Sequence, residues 1–350
     1  MMTGPAWISA LLHWFDHSKR DFPWREDNPR DPYKVWISET MLQQTRTETV
    51  RPYYLSWMEQ YPHVSDLAKA EESDVLHAWQ GLGYYSRARH IHQAAQKIME
   101  DYGGEIPRDR KSLQKLPGIG EYTAGAILSI AYGEKQAAVD GNVLRVYARL
   151  YAIEDDILQP EGRKKVCRQA EEDIPEDRPG DFNEALMDLG AAVCIPHHPR
   201  CSLCPVRPFC RAWEKDLAEA LPVRSKKKKP SVMYAACGII RREGLFLMHL
   251  RPDQGMLASM WEFPMVLTEN KKESIPALEK LTGGLAGPVL WKHRHVFTHR
   301  IWNMTAYTMS MEGQGPDGPD WCWQSAENWK KLPLAGPHAR LAAFIESAFF

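Results

Sequence analysis

Two carboxylates and a glycine-rich turn are the parts of this chain whose residue types and spacing suit chemistry. Residues 116–120 read LPGIG, directly ahead of a run with helical character. Glycine tolerates positive φ, so Gly118 and Gly120 let successive backbone N–H groups point outward beside a helix N-terminus, which suits a phosphate. Asp140 follows in the motif VDGNV, just before another helical pattern. Helix capping is the commonest use of Asp140 or Asn142 in this setting, so the motif alone favours an N-cap over a catalytic acid.

The second candidate carboxylate, Glu39, belongs to an earlier predicted helix. Asp31 and Pro32 open this helix, because proline is tolerated at the first position, where its missing N–H has no intrahelical partner to lose. The core-facing stripe consists of Tyr33, Trp36, Ile37, Thr40 and Met41. Glu39 and Gln43, one turn apart, border that stripe, so we expect Glu39 to be half-buried. The competing interpretation is a solvated glutamate at the edge of a surface helix.

Four of the seven cysteines form the strongest spacing signal. They follow the pattern C-x6-C-x2-C-x5-C and are Cys194, Cys201, Cys204 and Cys210. In a cytosolic chain this clustering favours a metal site over disulfides, and thiolates serve either a tetrahedral zinc or a [4Fe–4S] cluster. The spacing does not choose between the two. The isolated Cys167, Cys237 and Cys322 are predicted to be unreactive buried side chains.

Composition limits the class of protein. A length of 350 residues predicts two or three domains, and 44% hydrophobic with 25% charged residues is typical of a soluble globular protein. The formal net charge of −1 means that any affinity for a polyanion must come from local clusters and backbone amides. Two basic clusters are present: Arg224 with Lys226 to Lys229, and Arg200, Arg207, Arg211 and Lys215.

The chain has no apolar run of membrane-spanning length, and residues 6–17 have the spacing of an amphipathic helix rather than of a signal peptide. We therefore expect a cytoplasmic protein, associated with the nucleoid if it is bacterial. We also expect it to be a monomer without a membrane partner.

The periodicity changes once along the chain. Helical patterns continue to about residue 189, and residues 221–230 read as an exposed basic linker. Beyond it, residues 232–241, 245–250 and 293–309 have strand character, with short helices at 275–281 and from 338 to the end. The sequence therefore predicts a multidomain protein with an all-α first domain and an α+β second domain.

Five motifs of the first domain closely resemble those of the helix-hairpin-helix base-excision glycosylases with an iron–sulfur cluster, and in particular the MutY-type adenine DNA glycosylases. They are SETMLQQT at 38–45, GLGYY at 81–85, LPGIG at 116–120, VDGNV at 139–143 and FNEALMDLG at 182–190. The match spans about residues 20 to 210. The second domain resembles the MutT-like (Nudix-fold) module of that family more loosely, through WEFP at 261–264 and HVFTH at 295–299.

The resemblance implies a domain plan. An all-α glycosylase region would cover residues 1–220, with a six-helix module at about 25–135 that contains the hairpin at 116–127. An iron–sulfur module would combine residues 1–24 and 136–220, and the linker at 221–230 would lead to a MutT-like 8-oxoguanine recognition domain at 231–350. The cofactor would be one [4Fe–4S] cluster held by Cys194, Cys201, Cys204 and Cys210.

The resemblance also implies an activity, the removal of adenine mispaired with 8-oxoguanine or guanine in duplex DNA. Adenine is a poor leaving group, so the reaction needs a proton donor to the base and stabilisation of an oxocarbenium-like sugar. By the family pattern Glu39 is the general acid and Asp140 stabilises the sugar, with Asn142 supporting Asp140. The catalytic residues can reach the adenine only outside the DNA duplex, so the base must be flipped out of the stack.

Other positions carry over from the family as DNA contacts. The adenine pocket would be lined by Trp24, Arg25 and Glu184. The oxidised base would meet a wedge of Gln44 and Tyr84, beside Leu82 and a polar contact from Thr45, while Gly118 and Gly120 hold a phosphate. Recognition of 8-oxoguanine from the second domain would involve Phe297, Thr298 and His299, where the family often has serine in the middle.

Two departures from relatives narrow the chemistry. Tyr122 stands where bifunctional lyases of the superfamily carry a Schiff-base lysine, and a phenol cannot form the imine. We therefore expect a monofunctional glycosylase, with Tyr122 near the sugar. Residues 255–284 lack the paired glutamates that bind magnesium in nucleotide-cleaving relatives, so pyrophosphatase activity is not expected. The alternatives are an endonuclease-III-type enzyme acting on oxidised pyrimidines and a non-enzymatic DNA-binding scaffold with structural zinc.

Overall fold

The structure is a computed structural model that describes residues 6–26, 29–225, 229–311, 313 and 315–349. It divides into two compact units, one made of Met1–Lys69 with His90–Lys226 and the other of Ala70–Arg89 with Lys227–Phe350. Lys226, Lys227 and Lys228 of the predicted linker lie outside the described residues. None of the described helices combines the length and apolar character that crossing a bilayer requires.

The first unit is helical. Its larger helices are α1 (Ala6–Ser18), α2 (Pro32–Leu42), α3 (Thr47–Gln60), α9 (Gly141–Leu150), α10 (Pro160–Asp173) and α11 (Pro179–Ala192), and the short ones are α4 (Val64–Lys69), α7 (Arg110–Leu113), α8 (Glu121–Ala126) and α12 (Arg211–Glu214). Helix α5 (Glu72–Ala78) and the start of α6 (Ser86–Tyr102) belong to the second unit. One core cluster joins α1, α9, α10 and α11, so the two ends of the glycosylase-like region share a single hydrophobic interior.

Helix α2 is buried on almost every side. Asp31 caps it by accepting the backbone N–H of Tyr33, and every residue from Val35 to Met41 is buried. Glu39 is only 6% exposed, so the expectation of a half-buried position at the border of the helix is wrong. The reason is tertiary, since α2 contacts α3, α8 and the short 3₁₀ helix Pro23–Arg25 on different sides.

The LPGIG turn joins α7 to α8 as predicted. Gly118 has a φ of +76°, and a Cβ there would lie 2.7 Å from the Cβ of His90, so both backbone conformation and space require glycine. Helix α8 continues as a π-helical turn over Ile127–Ala131. A Cβ at Gly125 would lie 2.2 Å from the carbonyl oxygen of Ala137, which lets the helix approach the segment leading to Asp140.

The second unit is built on two four-stranded sheets and confirms the predicted α+β class. Its strands are β1 (Ser231–Ile239), β2 (Arg241–Arg242), β3 (Leu245–Leu250), β4 (Trp261–Glu262), β5 (Met265–Thr268), β6 (Leu285–Val296), β7 (Arg300–Ser310) and β8 (Trp321–Gln324). Its further helices are α13 (Lys271–Thr282), α14 (Ala326–Trp329) and α15 (Gly336–Phe349). One sheet has the order β5-β1-β7-β6, and the other pairs β3 with β2, β4 and β8.

The first of these sheets has two different faces. Alternate residues of β1 and β7 enter the main core between the sheets and α15, as Trp302, Met304 and Ala306 do. The opposite face meets α13 through a smaller cluster around Leu278 and Tyr307. Strands β6 and β7 form a hairpin whose turn holds residues 297–299, so the fold places the predicted base-reading residues at a strand end.

Candidate active site

A cavity of about 600 Å3 in the first unit is the candidate active site, and its size is that of a small-molecule pocket. Eight of the predicted site residues line it: Trp24, Arg25, Glu39, Gln44, Thr45, Tyr122, Asp140 and Asn142. These residues come from four separate stretches of sequence, which the packing of α2, α8, α9 and the short 3₁₀ helix brings together.

Glu39 and Tyr122 form a direct contact in this cavity. The phenolic hydroxyl of Tyr122 donates a short hydrogen bond to Oε2 of Glu39. Burial raises the pKa of Glu39 to about 7, because removing water disfavours the charged form; the Tyr122 donor acts in the opposite direction, and the charge of Glu184 adds to the rise. Loss of solvent also raises the pKa of Tyr122, so this phenol is a neutral donor.

Asp140 both caps α9 and lines the cavity. Its Oδ1 accepts the backbone N–H groups of Asn142 at 2.8 Å and Val143 at 2.7 Å, while Oδ2 accepts the side-chain amide of Asn142 at 2.9 Å. Burial raises the pKa of Asp140 above its ordinary value, and the two backbone donors and Arg145 oppose that rise. Arg145 also donates to Oδ1 of Asn142 at 2.9 Å, which fixes the orientation of that amide.

A network of arginines and acids forms one wall. Arg25 donates to Glu184 at 3.0 Å and to Asp188 at 2.8 Å. Arg20 reaches Asp188 at 2.6 Å, and Arg30 reaches Glu184 at 3.0 Å. Burial alone would lower the pKa of Arg25, but the charges of Glu184 and Asp188 raise it above its ordinary value. Glu184 lies behind Arg25 and is not among the residues that line the cavity.

Aromatic and strained residues complete the cavity. Trp24 is buried, with its ring stacked on Phe22 at 4.7 Å and edge-on to Tyr54. Gln44 is exposed and adopts a φ of +58°, a conformation that costs free energy for a residue with a Cβ. Thr45 follows it, with its hydroxyl 3.3 Å from the carbonyl oxygen of Gln43. The turn therefore presents the Gln44 side chain away from the helix interior.

The remaining predicted base contacts lie in the second unit. Tyr84 is 44% exposed with a φ of +50°, and its hydroxyl lies 2.7 Å from the hydroxyl of Thr298. Leu82 is buried. Phe297 packs edge-on against His295 and Trp302, whereas Thr298 and His299 are exposed at the β6–β7 turn.

The predicted phosphate-binding glycines lie outside the cavity, at the α7–α8 turn. Gly120 is the N-cap of α8 and has open space around its Cα. Buried Asn183 of α11 holds the next part of the chain: its amide donates to Ser129 at 2.8 Å and to the carbonyl of Gln136, and accepts the N–H of Ala138 at 3.0 Å. The Asn183 side chain therefore fixes the segment that leads to Asp140.

The four clustered cysteines line one small cavity of about 30 Å3. Arg149, from α9, contacts two of them: its guanidinium lies 3.4 Å from Sγ of Cys194, and its carbonyl accepts from Sγ of Cys210 at 3.5 Å. Four thiols converging on a common cavity are a donor set that suits an iron–sulfur cluster. Across the described ranges, no group of three or more His, Cys, Asp or Glu side chains has the geometry of a site for a single metal ion.

Other residues that line the cavity were not predicted as site residues, among them Arg20, Met187 and Asp188. The spacing of Asp188 could have identified it as a site residue, because it lies one helical turn after Glu184 and therefore on the same face of α11. No such spacing identifies Arg20, since its partner is 168 residues away.

Comparison with known proteins agrees with this geometry. Residues 37–176 match the model of the HhH-GPD superfamily of base excision DNA repair proteins, and residues 235–343 match the NUDIX domain. Among solved structures, a thermostable thymine-DNA glycosylase is 32% identical with a TM-score of 0.54, over 59% of this chain and 95% of that one. A trapped endonuclease III–DNA covalent intermediate is 25% identical with a TM-score of 0.51, over 60% and 95%.

The fold and the site together define a helix-hairpin-helix DNA glycosylase joined to a NUDIX domain. Among curated proteins, adenine DNA glycosylase of Mus musculus is 36% identical over 379 aligned positions, which cover 90% of this chain and 73% of the relative. The chain belongs to the adenine DNA glycosylase family. The multidomain fold predicted from its motifs, an all-α glycosylase core followed by a MutT-like α+β domain, is thereby confirmed.

Proposed function

We propose that this protein is a base-excision repair enzyme that flips adenine out of duplex DNA and hydrolyses its N-glycosidic bond. The observation that carries the proposal is the presence of two carboxylates with different environments in one cavity: Glu39 is buried with a raised pKa, whereas Asp140 accepts three hydrogen bonds. Membership of the adenine DNA glycosylase family supports adenine as the substrate base.

Glu39 acts as the general acid. With a pKa of about 7, Glu39 is protonated in a large fraction of the protein molecules at neutral pH, and the acid remains strong enough to transfer its proton. The proton goes to a ring nitrogen of adenine such as N7, which makes the base a better leaving group. Tyr122 orients the carboxyl through its hydrogen bond.

Asp140 stabilises positive charge on the sugar. The backbone amides at the N-terminus of α9 and the Asn142 amide favour its ionised form, against the effect of burial. As the bond to adenine breaks, the carboxylate balances the oxocarbenium-like charge electrostatically or adds to the sugar transiently before water replaces it. Glu39, once deprotonated, activates that water.

The remaining wall residues define the pocket. Trp24 offers an apolar surface to the flipped base, and Arg25 is held in a fixed orientation by its ion pairs with Glu184 and Asp188. Tyr122 replaces the lysine that a lyase requires, so we expect a monofunctional enzyme in which borohydride does not trap a protein–DNA adduct.

The base opposite adenine is 8-oxoguanine or guanine in this proposal. Gln44, Thr45, Leu82 and Tyr84 contact it or fill the space beside it, and Phe297, Thr298 and His299 read its oxidised edge from the second unit. The Tyr84–Thr298 hydrogen bond supports this assignment, because it joins a residue of each predicted group. Gly118 and Gly120 bind a backbone phosphate of the duplex through their N–H groups.

We further propose one [4Fe–4S] cluster on Cys194, Cys201, Cys204 and Cys210, as the cavity that these thiols share supports. When bound, the cluster would supply structural rigidity to the segment that carries Arg200, Arg207 and Arg211, which in this proposal contact phosphates. Iron with acid-labile sulfide in the purified protein is the expected result, and stoichiometric zinc would overturn this assignment. We also propose a monomeric, cytoplasmic protein.

The decisive experiment is single-turnover release of adenine from duplexes that pair it with 8-oxoguanine, guanine, cytosine or thymine. We expect fast release opposite 8-oxoguanine and guanine, and a loss of about 100-fold or more for Glu39→Gln. Glu48→Gln is the matched control, since Glu48 lines the same cavity but is exposed. Absence of adenine release, or equal rates for both variants, would contradict the proposal.

A further inference from the structure

The second unit carries a concave surface that the proposed chemistry does not use. It is a groove of about 380 Å3 on the face of the β5-β1-β7-β6 sheet that α13 partly covers. The cationic residues that line it are Lys271 at the start of α13 and Lys292 and Arg294 on β6. Its polar uncharged residues include Tyr234, Asn303 and Thr305.

Strand register places these side chains in two rows. Arg294 pairs with Asn303 of β7, which pairs with Tyr234 of β1, while Lys292 pairs with Thr305. Paired residues of neighbouring strands point to the same face of a sheet, so Arg294, Lys292, Asn303 and Thr305 share the floor of the groove. The exposed side chains of Lys292 and Arg294 alternate with those of His293 and His295, which belong to the opposite face.

The same sheet face changes character along β7. Under α13 it is apolar, with Tyr307 and Met309 against Leu278. Beyond the helix it becomes polar, at Thr305 and Asn303, where the groove begins. A sheet face turned to water is often polar without having a ligand, but such faces commonly mix both signs of charge.

This groove does not mix them. The residues that line it include two lysines and an arginine but no Asp or Glu. Among residues 229–311, 313 and 315–349, no carboxylate lies within ion-pair distance of Lys271, Lys292 or Arg294. Three unpaired cations beside hydroxyl and amide donors suit an extended polyanion. Because the chain as a whole has a net charge of −1, attraction of a polyanion depends on such a local cluster of positive charge.

We propose that this groove binds the phosphodiester backbone of the substrate duplex. The inference rests on the proposed function and deepens it by assigning a second DNA contact to the C-terminal unit. Its position supports the assignment, because β6 leads from the groove directly to Thr298. At about 3.3 Å per residue, Arg294 lies roughly 13 Å and Lys292 roughly 20 Å from that turn along the strand, within the reach of a few successive nucleotides.

The test is the salt dependence of DNA binding by the full chain. The double variant Lys292→Gln/Arg294→Gln is compared with wild type by fluorescence anisotropy on a duplex containing 8-oxoguanine opposite cytosine, from which no adenine can be released. The association constant K falls as salt rises. Loss of two phosphate contacts should make the slope of log K against log salt less steep by about 1.8, and should weaken binding up to about 60-fold at 0.1 M salt.

The matched control is Lys280→Gln/Lys331→Gln, which removes the same charge from exposed positions of the same unit that do not line the groove. Its slope should remain that of wild type. An unchanged slope for the groove variant, or equal changes in both double variants, would overturn the proposal. So would a groove variant that loses binding of dGTP while keeping the wild-type slope on DNA, since the groove would then serve free nucleotides.

Adenine release by wild type is measured separately, on an adenine·8-oxoguanine duplex. If wild type releases none, the proposed function fails. The anisotropy experiment needs no chemistry, so its result still decides whether the groove binds DNA. A melting temperature of the groove variant close to that of wild type ensures that a changed slope reports lost contacts and not unfolding.

Discussion

The hydroxyl of Tyr122 donates a hydrogen bond to the carboxyl group of Glu39, which lies inside the protein on a helix that is buried on almost every side. The contact joins the residue that stands at the position of the lyase lysine to the proposed general acid. Tyr122 therefore also affects the proposed general acid, because its hydrogen bond opposes the rise in pKa that burial causes at Glu39.

Removal of this donor should move the pH profile. The Tyr122 hydrogen bond lowers the pKa of Glu39 relative to burial alone, so Tyr122→Phe should raise that pKa above about 7. A general acid loses activity as pH rises through its pKa, and the alkaline limb of single-turnover adenine release should shift to higher pH in the variant. Tyr132→Phe is the control, since it loses a hydrogen bond to Ile106 outside the cavity. A shift to lower pH would refute the assignment.

Stability should depend on the same group. The pKa of Glu39 is raised from 4.5 to about 7 on folding, so its contribution is fully present below pH 4.5 and is lost as pH rises through 7. Glu39→Gln removes the ionisable group, and with it the loss of stability that wild type undergoes as pH rises. Its free energy of unfolding relative to wild type should therefore increase between pH 4.5 and pH 8, by up to about 3 kcal/mol. Urea unfolding at both pH values measures the change.

A control for that experiment is Glu48→Gln, which replaces an exposed carboxyl group whose pKa is lowered by hydrogen bonds, chiefly from backbone. This variant should gain no stability at high pH. If both variants gained equally, the effect would reflect general charge and not the burial of Glu39.

Asp140→Asn should separate the capping role from the chemical one. Asparagine caps helices about as well as aspartate, so the free energy of unfolding should change by less than about 1 kcal/mol. Adenine release should nevertheless fall by about 100-fold or more, because the negative charge near the sugar is lost. Asp31→Asn makes the same change at the N-cap of α2, away from the cavity, and should leave adenine release unaltered. Retained activity in Asp140→Asn would leave only the capping role.

The Tyr84–Thr298 hydrogen bond predicts a graded effect on base discrimination. Thr298→Val keeps the shape but removes the hydroxyl, and should reduce the preference for 8-oxoguanine over guanine by about 3- to 10-fold, the usual net effect of one hydrogen bond. Thr298→Ser keeps the hydroxyl and should retain the preference. Rates on both duplexes measure it, and equal losses in the two variants would point to packing instead.

Local patterns predicted the elements well, because period and capping are short-range properties. Asp31 and Pro32 begin α2 as expected, and strands lie on either side of the predicted turn at Glu243 and Gly244. The LPGIG turn is equally local, since positive φ at Gly118 follows from residue type.

The features that the sequence did not predict depend on packing between segments that are distant in the chain. The burial of Glu39 depends on helices that cover α2 from several sides, and a hydrophobic stripe cannot report how many neighbours a helix will have. The partners Arg20 and Asp188 are far apart in sequence, and nothing in either neighbourhood marks the other. Burial and partner choice, which set the chemistry, were thus less predictable than the helices that carry them.

The hydrogen bonds of Asp140 make its two carboxylate oxygens inequivalent. Oδ1 accepts both backbone amides of the helix cap, whereas Oδ2 accepts only the Asn142 side chain. Rotation of the carboxylate by half a turn would exchange the two atoms only if both cap bonds broke first. The N-terminus of α9 therefore holds the two oxygens of a chemically symmetric group in distinct positions, with Oδ1 against the backbone amides and Oδ2 left with the side chain of Asn142 as its hydrogen-bond donor.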